Sequence, residues 1–328
     1  MASSPALPGT TSLQEGAAVT RRVTFYSVAV AGVLIAIKLW AWVASGSVAM
    51  LSSLADSSLD LVAALVTFFA VRYAAAPPDA EHRFGHGKAE GFASMLQAGL
   101  VFATGALIGR EATVRLLHPQ AVEQSGDAIA AAIVGIALTG LLVMLQTRAL
   151  RQTRSVAVSA DRTHYAADLV SNFAALIGIA AAAYLHLVWA DAVAGLVVAA
   201  LLLWGAIGVF REAADQLMDK GLDPESQAKI LALATQDPAI VSVHGLRTRV
   251  AGPYVLMQMH VDLDPELSIE QAHVIMVAAE NRILSAFPAA DILMHPDPRG
   301  RAQAHGGAFA EHHHGETQAE QAANVSGG

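Results

Sequence analysis

No cysteine occurs anywhere in the 328 residues. Disulfides, thiolate metal sites and a cysteine nucleophile are thereby excluded, so a bound metal must be held through imidazole and carboxylate groups. Charge is scarce too. Only 15% of the residues are Asp, Glu, Lys or Arg, while 54% are hydrophobic; an average soluble domain is about 25% charged. That balance excludes an ordinary soluble protein and points to a polytopic membrane protein. A basic excess is missing as well, since the formal net charge of −8 leaves no electrostatic footprint for nucleic acid. Residues 1–20 (MASSPALPGTTSLQEGAAVT) lack the charged segment and apolar core of a secretory signal, and read as a disordered tail.

Long apolar stretches are what the chain does have. A hydrocarbon core of roughly 30 Å requires about 20 helical residues. Six stretches reach that length, over 23–45, 47–71, 91–110, 127–147, 165–185 and 188–210. Ser45-Gly46-Ser47 and His186-Leu187 are so short as connectors that they imply helical hairpins. Basic residues cluster on one side: Arg21 and Arg22, then Arg72, Arg83 and Lys88, then Arg148, Arg151, Arg154 and Arg162, and finally Arg211. The opposite loops hold almost only Arg115, so the positive-inside rule places both termini in the cytoplasm.

Beyond residue 211 the character becomes that of a soluble module, expected over 212–298. DPESQAKILALATQ opens with an N-cap aspartate and a proline at the first turn. IVSVHGLRTRVA and YVLMQMHVDLD alternate as half-buried strands joined at Gly252-Pro253. SIEQAHVIMVAAENRILSAF is an amphipathic helix and DILMHPDP a short strand, giving an αββαβ order and a small α+β fold. Residues 299–328, with His305 and His312 to His314, read as a disordered histidine-containing tail.

Two pairs of ionisable residues interrupt the apolar stretches. Asp56 and Asp60 lie four apart in SVAMLSSLADSSLDLVAALVTFFAV, and His164 and Asp168 repeat the spacing in THYAADLVSNFAALIGIAAAAYL. An Asp ionised at a helix centre costs about 2.5–3.5 kcal/mol, so three unpaired ones would cost roughly 8–10 kcal/mol. Helical residues four apart share one face. Two facing helices would therefore present four N and O ligands, the tetrahedral number favoured by Zn²⁺; Fe²⁺, Mn²⁺, Co²⁺ or Cd²⁺ would also be admitted. Metal ligands must be deprotonated, so metal and protons compete for the same lone pairs. A chain alternating between two faces of the bilayer could then exchange one for the other. The expected boundary leaves His164 near the cytoplasmic end, beside Asp161 and Arg162. Either the fifth helix starts earlier, near Ser155, or a water-filled cavity reaches the site.

LADSSLDL, PPDAEHRFGHGKAEG, DRTHYAADLVSN, VHGLRTRVAGPYVLMQMHVDLD, EQAHVIMVAAE and ILMHPDP occur in that order over about 23–298. In these segments the chain resembles the cation diffusion facilitators, of the bacterial zinc/ferrous-iron efflux type. The resemblance implies a six-helix membrane domain over 21–211, a metallochaperone-like cytoplasmic domain and a homodimer in the bacterial inner membrane. It implies proton-coupled export of Zn²⁺ or Fe²⁺ through a transport site at Asp56, Asp60, His164 and Asp168. A loop site falls on Asp79, His82 and His86, and a cytoplasmic-domain site on His244, His260, His273, His295 and Asp297. An interlocking charge pair falls on Lys88 and Asp219.

Read by spacing alone, the accessory sites are less specific. Asp79, His82 and His86 occupy a Pro/Gly-bounded loop with no guaranteed common face, where a solvated segment is an equal reading. His295 and Asp297 do share one strand face. Two other functions also gather His and Asp in this way. An intramembrane metallohydrolase would need an open coordination position and a general base, and no HExxH is present. A membrane-anchored metal sensor would leave the intramembrane pairs without a role.

Overall fold

A computed structural model describes residues 11–45, 48–118, 126–185 and 189–301. The chain divides into two units, one over Gln14–Met218 and another beginning at Asp219. The first holds helices α1 (Leu13–Ser45), α2 (Val48–Ala74), α3 (Ala89–Leu117), α4 (Gly126–Thr153), α5 (Val156–Leu185) and α6 (Ala190–Leu217). Among the described residues five segments are long and apolar enough to cross a membrane: Leu13–Ala44, Ser53–Ala74, Ala89–Leu117, Ile133–Thr153 and Ala192–Leu217. Helix α5 is not among them. Its first half carries Asp161, Arg162, His164 and Asp168.

Several helices outrun the apolar stretches that announce them. Helix α1 starts at Leu13, inside the segment read as a disordered tail, with Glu15 in its first turn. Gln, Glu and Ala are good helix formers, and an acid at the N-terminus suits the helix dipole. Helix α6 continues through REAADQL to Leu217, past the expected end at residue 210. Hydropathy marks where a bilayer ends, not where backbone hydrogen bonding ends. The hairpin turns expected at Gly46-Ser47 and His186-Leu187, residues 1–10 and the histidine tail lie outside the described residues.

The start of α5 decides where the central histidine sits. Arg154 takes a left-handed φ of 49° and ends the preceding helix. Ser155 Oγ then accepts the Val158 N–H at 3.3 Å, satisfying a free donor of the first turn. Helix α5 therefore begins at Val156, which places His164 well inside it.

Large apolar side chains point outward from this unit. Trp40, Val43, Phe69, Phe102, Leu107, Met144 and Trp204 are all exposed, while Ser27, Thr67, Gln97 and Gln146 are buried. Lipid tails are as apolar as Leu, so helix contacts in a bilayer come from small residues and polar groups instead. Helices α3 and α6 show this. A Cβ on Gly105 would lie 3.1 Å from Leu202 Cβ, and one on Gly109 3.3 Å from Ala199 Cβ.

The second unit runs α7 (Pro224–Ala234), β1 (Ser242–Ala251), β2 (Tyr254–Leu263), α8 (Ile269–Ala286) and β3 (Ala290–Pro298). This is the αββαβ order expected from the sequence. Asp223 caps α7 by accepting the Ser226 N–H at 2.9 Å, and Ser268 with Gln271 forms a capping box on α8. Strand β2 is central, antiparallel to β1 and parallel to β3. Ile230, Val243, Val255, Met257, Met259, Val261, Ile283 and Phe287 fill one core between sheet and helices. Each fully buried side chain of this size contributes about 1.5–3 kcal/mol.

Candidate metal centres

Among the described residues, three clusters bring ligating atoms within 4.8 Å of one another. Two ligand atoms each 2.0–2.2 Å from a tetrahedral ion stand roughly 3.3–3.6 Å apart, which gives a yardstick for each cluster. In the first, His164 Nε2 lies 3.1 Å from Asp60 Oδ1 and 3.8 Å from Asp168 Oδ2. Helices α2 and α5 thus face each other through these groups, as the paired spacings predicted. Asp56 stands outside this cluster with its side chain exposed. Three of the four expected ligands are together; the fourth is one helical turn away on the same helix.

The second cluster is the loop between α2 and α3. Spacing promised nothing there, and the backbone supplies what spacing could not. Asp79 Oδ1 accepts the N–H groups of His82 and Glu81 at 2.6 and 2.9 Å, and Gly85, at φ 77°, turns the chain back. His86 Nε2 comes to 3.2 Å from Asp79 Oδ2, and His82 Nδ1 to 3.5 Å from Asp79 Oδ1. The N–H of His82, ahead of that of Glu81, holds the Asp79 carboxyl below its usual range, so the carboxylate stays ionised. His86 is buried against Tyr73, ring centroids 4.4 Å apart, and its Nδ1 has no hydrogen-bond partner among the described residues.

The third cluster lies across the sheet. His244 pairs with His260 in the β1–β2 ladder, and His260 with His295 in the β2–β3 ladder, so three imidazoles form one row. Asp297 is their hub: its Oδ2 lies 2.8 Å from His260 Nδ1 and 3.6 Å from His244 Nε2, and its Oδ1 3.6 Å from His295 Nε2. A bulge between His244 and Arg247 interrupts the β1 register, with Gly245 at φ 60°. His273, on α8, is exposed and outside this cluster. Of the expected charge pair, Lys88 Nζ donates to Leu217 O at 3.2 Å. Asp219, in the other unit, accepts from Arg249 Nη1 at 3.0 Å.

Comparison with known proteins identifies the family. A model of the cation efflux transmembrane domain matches residues 24–218, and one of the cation efflux protein cytoplasmic domain matches 222–299. The chain belongs to the cation efflux family. The cation-efflux pump FieF of Shewanella oneidensis is 39% identical over 83% of this chain and 92% of its own length. That of Serratia proteamaculans is 36% identical over 82% of this chain and 90% of its own. A solved structure of CzrB in its Zn form is 31% identical, covering 26% of this chain and 99% of that one, with a TM-score of 0.25. The resemblance drawn from the motifs is borne out.

Within the transmembrane domain of this cation efflux protein, two features escaped the reading of motifs. Asp161 is buried at 1% exposure and accepts from Ser27 Oγ at 2.6 Å, Gln146 Nε2 at 2.8 Å and Gln97 Nε2 at 3.3 Å. One carboxylate thereby joins α1, α3, α4 and α5. Lys38, inside the first apolar stretch, reaches α2 through its ammonium. A lone lysine in such a stretch is itself a signal, because charge within a span is costly.

Proposed function

We propose that the chain exports divalent transition-metal cations, Zn²⁺ or Fe²⁺, from the cytoplasm in exchange for protons. One observation carries this reading: Asp60, His164 and Asp168 meet across two helices at spacings that suit a single ion. Asp56, one turn from Asp60, completes a four-ligand transport site as the helices shift. Metal enters only as these groups lose protons, and protonation expels it. Helix α5 serves as the sixth span. The basic residues flanking the helices support cytoplasmic termini, and the efflux family supports an inner-membrane location.

The working unit is a homodimer. A matched domain type found in the cytoplasmic parts of cation efflux proteins supports this, as do Ile269 at 90% and Val274 at 63% exposure on α8. Asp79, His82 and His86 form an accessory loop site. His244, His260, His295 and Asp297 form the cytoplasmic-domain site, with His273 joining it in the dimer. Flux of Zn²⁺, Fe²⁺, Cd²⁺ and Mn²⁺ into proteoliposomes against an imposed pH gradient tests the reading. Asp60→Ala and Asp168→Ala should each lower Zn²⁺ flux by more than about tenfold while the protein stays folded. Full transport by both variants would overturn the site.

A further inference from the structure

Lys38 has no place in the transport chemistry described so far, yet it sits against it. Its Nζ donates to Ser57 Oγ at 2.6 Å and to Ser53 O at 3.2 Å, both on α2. Ser57 is buried and lies between Asp56 and Asp60 in the chain. Both acceptors are neutral oxygens, so they anchor the ammonium without cancelling its charge. Asp56 and Asp60 flank Ser57 on α2, and Asp168 faces Asp60 across His164. Those are the three carboxylates of the transport site. A glutamine could make the same two hydrogen bonds without placing a charge in an apolar helix, so helix gluing alone does not account for a lysine here.

The charges sum in a telling way. Three carboxylates carry −3, a divalent ion +2 and Lys38 +1, which closes to zero when His164 ligates as neutral imidazole. Removing the lysine leaves the loaded site at −1 and the ion held by an uncompensated field. Opposite charges in low dielectric attract strongly, so a site without Lys38 would grip its cargo too hard to release it. Resting on the transport site proposed above, we propose that Lys38 is a resident cation of that site. It balances the divalent ion against three carboxylates and so sets the affinity low enough for turnover. Binding energy that holds bound cargo and transition state unequally lowers the rate even as it lowers the half-saturating concentration.

The test uses the full chain in proteoliposomes with Zn²⁺ as probe. Lys38→Gln should lower both the KM for Zn²⁺ and the maximal flux by about tenfold or more, while Lys38→Arg keeps both near their original values. Unchanged KM and flux in Lys38→Gln would overturn the proposal, and so would a raised KM, which is what simple misplacement of α2 would give. Because the chain has no cysteine, Lys38→Cys offers a second route at a unique thiol. Modification with an ethylammonium methanethiosulfonate should restore the original KM and flux, and methylthiolation with neutral methyl methanethiosulfonate should not. Equal behaviour of the two adducts would overturn the proposal even if Lys38→Gln did not fold. Asp60→Ala separates the two readings. If it transports normally, the transport site itself is wrong; if it is inactive while Lys38→Gln is unaltered, only the role of Lys38 fails.

Discussion

At the scale of single residues, Asp161 shows how much a buried carboxylate can organise. Ser27, Gln97 and Gln146 all donate to it from other helices, and Tyr165, on the same turn of α5 as His164, donates to Ser27 O at 3.2 Å. The network thus fixes the part of α5 that carries the His164 imidazole. Removing the acceptor leaves these donors only their contacts with Val23 O, Thr67 Oγ1, Ala63 O and Ser27 Oγ, and each lost hydrogen bond costs about 0.5–1.5 kcal/mol. Asp161→Ala should therefore lower the melting temperature in detergent by several degrees, at about 2–4 °C per kcal/mol for a domain of this size. Asp161→Asn should cost less, because its carbonyl still accepts and the amides of Gln97 and Gln146 can turn their Oε1 atoms, unpartnered among the described residues, toward the new donor. Thermal unfolding of the three proteins checks the order. If the alanine variant melted with the original protein, the network would carry no stability.

At the scale of elements, the ligands that share a helix or strand were legible and those gathered by a turn or bulge were not. Four-residue spacing announced that Asp60, His164 and Asp168 would meet, because helical geometry alone puts such residues on one face. The Asp79–His86 cluster depends on two backbone N–H groups folding onto one carboxylate oxygen, a local choice no periodicity reports. Asp161 stayed hidden for another reason: two of its three partners lie 64 and 134 residues away in the chain. The β1 bulge belongs with the unreadable features. Gly245 occupies the left-handed region, and a Cβ there would stand 3.3 Å from His260 Cδ2. Gly245→Ala should therefore destabilise the second unit by about 1–2 kcal/mol and displace His260 from Asp297. Gly245→Asn should regain part of the backbone cost, since Asn visits this region more readily. Calorimetric Zn²⁺ binding alongside chemical unfolding would separate the two effects. An alanine variant with unaltered binding would show that the bulge does not position the row of imidazoles.

On the scale of the whole molecule, two units carry ligand clusters of different kinds. In the proposed mechanism the membrane unit holds its cluster on helices that shift as cargo moves. The sheet unit holds its cluster on paired strands whose register is fixed by the ladder on both sides of β2. A site on so rigid a frame suits sensing better than transport, and coupling between distant sites is typically about 5–150-fold in affinity. Asp297 is the group to remove, because three imidazoles converge on it. Asp297→Ala should lower the zinc bound per chain and raise the half-saturating zinc for transport by about fivefold or more. The maximal flux should stay near its original value, since no transport ligand is touched. Asp60→Ala should give the reverse pattern, with cytoplasmic zinc retained and flux lost. Each variant is thus the control for the other. A fall in maximal flux in Asp297→Ala, at unchanged half-saturation, would place the sheet cluster on the transport route and end the division of labour between the units.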